Sequence, residues 1–220
     1  MDATAVLDEV QTTSETALQR LGSERALVAV TAATIDRATV IESAVEAEAR
    51  AVATFEAWAQ DEGHDRAREA FEAAAERERE HRDRAVGLAG DSDAELAADD
   101  GSDLDPAPDG LHEHLRGLEH TIDRVGAGLV GQPLVASRTL LQVINFFVNE
   151  GDSEAAGLFR ELRAETDDQS TNGASLVVEY WEDAADRERA IAAANDVIAV
   201  AYDEYADRLS EMGVDPKPVC

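Results

Sequence analysis

Apolar residues recur at spacings of three and four along almost all of this 220-residue chain, and no stretch alternates convincingly between apolar and polar. A period near 3.6 gathers such residues on one face of a helix, whereas a half-buried strand needs a period of two, so the chain is confined to an all-α fold. The pattern predicts helices near residues 3–21, 37–61, 64–88, 110–129, 133–150, 152–168 and 174–212. The acidic stretch "GDSDAELAADDGSDLDPAPDG", residues 90–110, contains Pro and Gly and is poor in large apolar groups, which is the composition of a solvated linker. "STNGAS", Ser170 to Ser175, reads as a second break. The resulting plan is an N-terminal helix and connection (1–36), a first helical hairpin (37–89), the linker (90–110), a connecting helix with a second hairpin (111–169) and a C-terminal helical extension (170–220). In the extension Val177, Tyr180, Trp181, Ala184, Ile191, Ile198, Tyr202, Tyr205 and Leu209 lie on one side, to cover the bundle or a dimer partner.

The two hairpins look like copies of one unit. Aligning "DEGHDRAREAFEAAAEREREH" with "NEGDSEAAGLFRELRAETDDQ" superposes Glu62-Gly63 on Glu150-Gly151 and Phe71 on Phe159. Two helix–Glu-Gly–helix hairpins, each with a stripe it cannot bury alone, imply an antiparallel four-helix bundle in which Phe71 and Phe159 share a core.

In the first hairpin the apolar stripe ends in ionisable groups. Ala67, Phe71, Ala74, Glu78, His81 and Ala85 follow alternating spacings of four and three and share a helix face. A carboxylate on a core face costs several kcal/mol unless it is paired or binds a metal. The Glu-x-x-His spacing of Glu78 and His81 lets both side chains reach one ion. The preceding helix carries Glu48 within the stripe Ile41, Val45, Val52, Phe55 and Ala59. Gly63 is the pivot: Glu48 lies fifteen residues before it and Glu78 fifteen after, so the carboxylates of an antiparallel hairpin stand at nearly one height. Glu46, beside Ala49 and Ala53, is the fallback for Glu48.

Other polar features admit two readings. Arg138, Gln142, Asn145 and Asn149 form a polar stripe that either faces solvent or turns inward, where Arg138 would neutralise Glu48 or Glu78 in place of a metal. In "LHEHLRGLEH", the apolar face of Leu111, Leu115, Leu118 and Ile122 leaves His112 and His120 outward, with His114 beside the core.

Acid outnumbers base by 48 to 19, for a formal charge of -29, so nucleic acid and anionic membrane surfaces are repelled. The same excess fits a cytoplasmic protein adapted to molar salt, where screening removes the self-repulsion, or a dedicated acidic interaction surface. "MDATAVLDEV" has neither a basic region nor an apolar core, which argues against a secretory signal, and no apolar run would span a bilayer. Cys220 is the only cysteine, so an internal disulfide, a Cys-based zinc site and a Cys-ligated iron centre are excluded.

"EARAVATFEAWA", Glu48 to Ala59, followed by Glu62-Gly63, Phe71 and Glu78-x-x-His81, resembles the rubrerythrin branch of the ferritin-like superfamily. The resemblance covers about residues 40–88 well and 131–169 in outline. It implies a ferritin-like antiparallel four-helix bundle, to which the periodicity adds N- and C-terminal helices, holding two irons between carboxylates and His and reducing peroxide or oxygen. The metal ligands it implies here are Glu48, Glu78 and His81. The equivalent positions of the second hairpin are Ala136, Thr166 and Gln169, so half of the ligand set is missing, and Glu165 or Asp168 could substitute only in a rotated or shifted helix. Rubredoxin-type CxxC pairs are absent as well, so a redox role would require an external electron donor. Two expectations follow: an iron or manganese redox protein, with His114, Glu165, Asp168 or water completing the coordination, or a metal-free helical bundle serving as a structural or protein-interaction module, with a homodimer as one form of it.

Overall fold

The computed structural model describes residues 2–89, 109–181 and 183–216, and the segment expected to be a linker lies almost entirely outside them. The described residues form helices α1 (Ala3–Thr13), α2 (Glu15–Leu21), α3 (Arg25–Val30), α4 (Arg37–Asp61), α5 (Asp65–Val86), α6 (Gly110–Arg116), α7 (Thr121–Arg124), α8 (Gln132–Glu150), α9 (Ser153–Tyr180) and α10 (Ala184–Glu211). A π-helical stretch, Val125–Gly131, joins α7 to α8. The fold is therefore all-α, as the periodicity requires.

Acidic N-caps set where α4, α9 and α10 begin. The side chains of Asp36, Asp152 and Asp183 accept from the backbone N–H groups of Thr39, Ala155 and Ala185, each within the first turn. Gly151, at φ 75°, takes the left-handed conformation that ends α8 and starts the return into α9.

Two apolar clusters organise the helices. One gathers Ala51, Phe55 and Trp58 of α4, Phe71 and Ala74 of α5, Leu134 of α8 and Ala174 and Val177 of α9, together with α1, α2 and α10. The other gathers Val40, Ile41 and Val45 of α4, Ala85 of α5, Leu140, Ile144 and Phe147 of α8 and Phe159 and Leu162 of α9. Each of the four hairpin helices, α4, α5, α8 and α9, contributes to both, so α4 and α5 run antiparallel and turn at the first cluster, whereas α8 and α9 turn at the second. The expectation that Phe71 and Phe159 share a core therefore fails. The two hairpins point in opposite directions, so equivalent residues lie at opposite ends: Phe71 packs against Trp58 at 5.2 Å, and Phe159 stacks on Phe147 at 5.5 Å.

The expected break at Ser170–Ser175 is absent, and α9 runs through it. The Ser and Thr hydroxyls bond carbonyls of the preceding turn, Ser170 and Thr171 to Asp167 O and Ser175 to Thr171 O, and so stay inside the helix. Gly173 serves close packing: a Cβ there would sit 2.2 Å from the Leu129 carbonyl oxygen. Instead α9 ends at Tyr180, and Asp183 caps the start of α10. The helix expected over residues 3–21 is split at Ser14, whose hydroxyl bonds Asn195 of α10, and α3 adds a turn within the expected connection. The apolar face of α10, with Ile191, Ile198, Tyr205 and Leu209, is buried within the chain against the π-helical stretch and α1, α2 and α6.

Candidate metal centre

The layer between the two clusters is polar. The predicted stripe of α5 is buried over its whole length, Ala67, Phe71, Ala74, Glu78, His81 and Ala85, so the face chosen from sequence is the one that packs. His81 has no exposure, Glu78 has 4% and Glu48, facing them from α4, has 9%. One donor atom of each lies within 4.8 Å of the others, the only such group of three or more acidic, His or Cys side chains among the described residues. The fifteen-residue symmetry about Gly63 brings them to one height.

The imidazole has two different sides. Nε2 lies 2.9 Å from Glu165 Oε2, and Glu165 is held in turn by Arg84 at 2.9 and 3.0 Å. Burial raises the Glu165 pKa, but the hydrogen bonds from Arg84 and His81 outweigh it and hold the carboxyl below its ordinary value. An ionised carboxylate can only accept, so Nε2 carries a proton, and in the neutral ring that a metal requires the lone pair is on Nδ1. Nδ1 lies 3.5 Å from Glu78 Oε2 and 3.9 Å from Glu48 Oε2. It is buried and makes no hydrogen bond among the described residues.

The two carboxylates are unequal. Burial first, and then the negative charge of Glu78, push Glu48 well above its ordinary pKa. Burial also opposes ionisation of Glu78, but the neighbouring His81, Glu48 and Gln169 outweigh it and lower its pKa. Without a cation the pair therefore carries one shared proton, mainly on Glu48, because two buried carboxylates this close cannot both ionise cheaply. A divalent cation would replace that proton. The donor types fit one: two carboxylate oxygens 3.5 and 3.9 Å from an imidazole nitrogen, with the far nitrogen oriented by a carboxylate.

The matching layer of the second hairpin has no such set. Thr166 and Gln169 are buried at the places corresponding to Glu78 and His81, but the Thr166 hydroxyl bonds Leu162 O of its own helix, and Gln169 Oε1 accepts from Arg77 at 3.1 Å. Ala136 corresponds to Glu48 and, with it, lines a partly open cavity of about 200 Å³.

Several alternatives raised by the sequence are settled here. Glu46 is exposed and pairs with Arg50 at 2.7 Å, so it is not the fallback ligand. Asp168 is exposed, and Glu165 reaches the centre through His81 without any rotation of α9. Arg138 does not neutralise the carboxylates. It lines a shallow cleft with Asp8 and Gln19, and its side chain packs against Gly22. Asn145 and Asn149 are exposed, whereas Gln142 is buried and donates to the Gly22 carbonyl at 2.6 Å. The expected orientation fails for His112, which is buried with its Nδ1 2.8 Å from Asp109, whereas His120 is exposed as expected and His114, beside the apolar face, is half-exposed. Asp109 caps α6, and that cap pulls the His112 ring inward, an effect that apolar periodicity alone does not register.

Sequence reading did not find the outer partners. Arg84 lies one turn beyond His81 on α5, and its bond to Glu165 needs the approach of α5 to α9 that only the assembled helices provide. The same holds for Glu62, a buried carboxylate in the first turn that accepts from Thr121 at 2.8 Å. Among the described residues no helix is long and apolar enough to cross a membrane. The chain matches no protein-family model, no curated protein and no solved structure.

Proposed function

We propose that the four long helices form a ferritin-like antiparallel bundle of the rubrerythrin type that retains one half of a two-metal centre and binds a single iron or manganese ion through Glu48, Glu78 and His81. The observation that carries this reading is His81 Nδ1: a fully buried ring nitrogen, without a hydrogen bond, facing two carboxylates while Nε2 is held by Glu165. A structural histidine in a bundle core has both nitrogens satisfied, and leaving one bare is costly unless a cation takes it. Carboxylate and imidazole donors suit iron and manganese.

The bound ion would supply electron exchange with peroxide or dioxygen. The chain's own contributions are to hold the ligands in register, to release the Glu48 proton on loading, to keep the imidazole in one tautomer through Glu165 and Arg84, and to leave the Ala136 side of Glu48 open to the cavity. Electrons would come from an external donor, because Cys220 is the only cysteine.

The test is to load the protein anaerobically with ferrous ion, add hydrogen peroxide and follow ferric absorbance. Wild type should oxidise bound iron faster than free ferrous ion reacts in the same buffer, and Glu78→Ala should not. Stoichiometric loading with no acceleration would retain the metal site and remove the redox role. Failure to load would leave the metal-free bundle, with its carboxylates sharing a proton, as the resting form.

A further inference from the structure

Helices α5 and α9 meet along a polar seam that continues beyond His81 and Glu165. Arg77 donates to Gln169 Oε1 at 3.1 Å, His81 Nε2 lies 2.9 Å from Glu165 Oε2, and Arg84 donates to Glu161 at 3.0 Å. One turn forward along α5, from Arg77 to His81, is matched by one turn back along α9, from Gln169 to Glu165, so the two helices pass antiparallel with their steps in register. Arg77 and Glu78 both lie about one turn before His81. They therefore flank the stretch of α9 that Gln169 occupies.

Arg77 fixes how the Gln169 amide is turned. A guanidinium has donors only, so the amide oxygen faces it and the NH2 group is directed elsewhere. Gln169 is 3% exposed, and Nε2 is buried without a hydrogen bond among the described residues. Its influence falls on Glu78: burial opposes ionisation of that carboxyl, and hydrogen bonding to Gln169 acts with His81 and Glu48 in the other direction. The amide nitrogen thus approaches the Glu78 carboxylate without completing a bond to it.

This arrangement suits a ligand that must be held still. Glu78 can offer an ion either of two oxygens, and Oε2 lies 3.5 Å from His81 Nδ1. Ligating carboxylates are themselves hydrogen-bonded, which fixes the oxygen they present. An amide N–H group does this without bringing a second charge into the layer. The amide oxygen, the one atom of Gln169 able to ligate a metal, is taken by Arg77.

We propose that Gln169 is a positioning residue for Glu78: held by Arg77, its amide N–H group donates to one carboxylate oxygen of Glu78 and leaves the other to the ion. The assignment rests on the metal reading above. On this view α9 supplies an outer partner to each ligand of α5, Glu165 to His81 and Gln169 to Glu78. The position at which the second hairpin lacks a histidine thus serves the ligands of the first.

The test is titration of the full chain with manganous ion against a competing chelator, together with the electron paramagnetic resonance spectrum of the bound ion and a crystal structure of the loaded wild type. Gln169→Met keeps the length of the side chain and removes the donor. It should weaken binding by about tenfold at one ion per chain and alter the spectrum, because Glu78 is freed to turn. Thr166→Val, which removes a buried hydroxyl bonded to its own helix, should change neither. In the loaded wild type Nε2 should lie within hydrogen-bond distance of a Glu78 oxygen, with Oε1 still on Arg77, and this reading stands even if a variant fails to fold. The proposal is overturned by a Gln169→Met protein with wild-type affinity or an unchanged spectrum, by an equal loss in Thr166→Val, or by a loaded structure in which the amide faces away from Glu78 or ligates through Oε1. A folded wild type that takes up no manganous ion overturns the metal reading itself.

Discussion

The two helical hairpins share a plan and differ in what they place at its middle. Both have a Glu-Gly turn, a stripe of small and aromatic residues and a buried aromatic pair near the turn, Trp58 with Phe71 in one and Phe147 with Phe159 in the other. At mid-height the first presents Glu48, Glu78 and His81, and the second presents Ala136, Thr166 and Gln169. The second set is neutral: Thr166 bonds its own helix and Gln169 Oε1 accepts from Arg77, while Gln169 Nε2, like His81 Nδ1, is buried without a hydrogen bond among the described residues. The first set differs in charge, because it places two carboxylates close enough to raise the Glu48 pKa beside His81 Nδ1. A core can be closed with neutral groups at this position, and the second hairpin does so. Retaining buried charge in the first is costly unless something binds there.

That contrast can be broken by substitution. The largest effect is expected on ligand loss: Glu78→Ala or His81→Ala should weaken iron or manganese binding by at least ~100-fold, beyond what loss of an outer partner costs. Thr166→Ala should leave metal binding intact, and Gln169→Ala, which takes a hydrogen-bond partner from Glu78, should weaken it less than loss of a ligand does. Equilibrium dialysis with elemental analysis of the four variants checks this, and equal losses in both hairpins would erase the distinction. Next comes Glu165→Ala, which frees the imidazole tautomer without removing a ligand. It should weaken metal binding by roughly 10- to 100-fold, with Glu165→Gln intermediate, and a competition titration against a chelator reads the difference.

A smaller effect has the opposite sign. Glu48 has a raised pKa in the folded chain, so without metal the folded state keeps a proton that the unfolded state releases near the ordinary value of 4.5. Stability of the metal-free protein should therefore fall as pH rises from that value through the folded pKa. Glu48→Gln removes the penalty and should stabilise the metal-free protein at neutral pH by on the order of 1 kcal/mol, while lowering metal affinity. Urea unfolding at neutral pH and near pH 4 measures it, and the advantage should shrink at the acidic end. The smallest effect should be that of Glu46→Gln, since Glu46 is exposed and only pairs with Arg50: neither metal binding nor stability should change by more than about 0.5 kcal/mol.

How much of this was legible in the sequence follows from which forces are local. The bounds of α4 and α8 and the buried face of α5 come from periodicity and turn residues, and these were readable. The juxtaposition of Glu48 with Glu78 and His81 needed only the hairpin pivot at Gly63. The continuation of α9 through Ser170–Ser175 was not readable, because Gly173 is selected by the backbone of Leu129, a neighbour distant in the chain. The separation of Phe71 from Phe159 was missed because a repeat gives two like units without giving the direction in which they pack. The inward turn of His112 depends on a cap at Asp109 that outweighs the apolar pattern around it. Glu165 was in view as a substitute ligand, but its role in orienting His81 depends on Arg84 from another helix.

The central claim is that the first hairpin retains buried charge because it holds one metal ion. The most direct measurement is the metal content, by elemental analysis, of wild type and Glu78→Ala after anaerobic reconstitution with ferrous or manganous ion and removal of excess by gel filtration. The account predicts one ion per chain in the wild type and none in Glu78→Ala, with both proteins helical by circular dichroism. A folded wild type that retains no metal, or a Glu78→Ala variant that retains as much as the wild type, would contradict it.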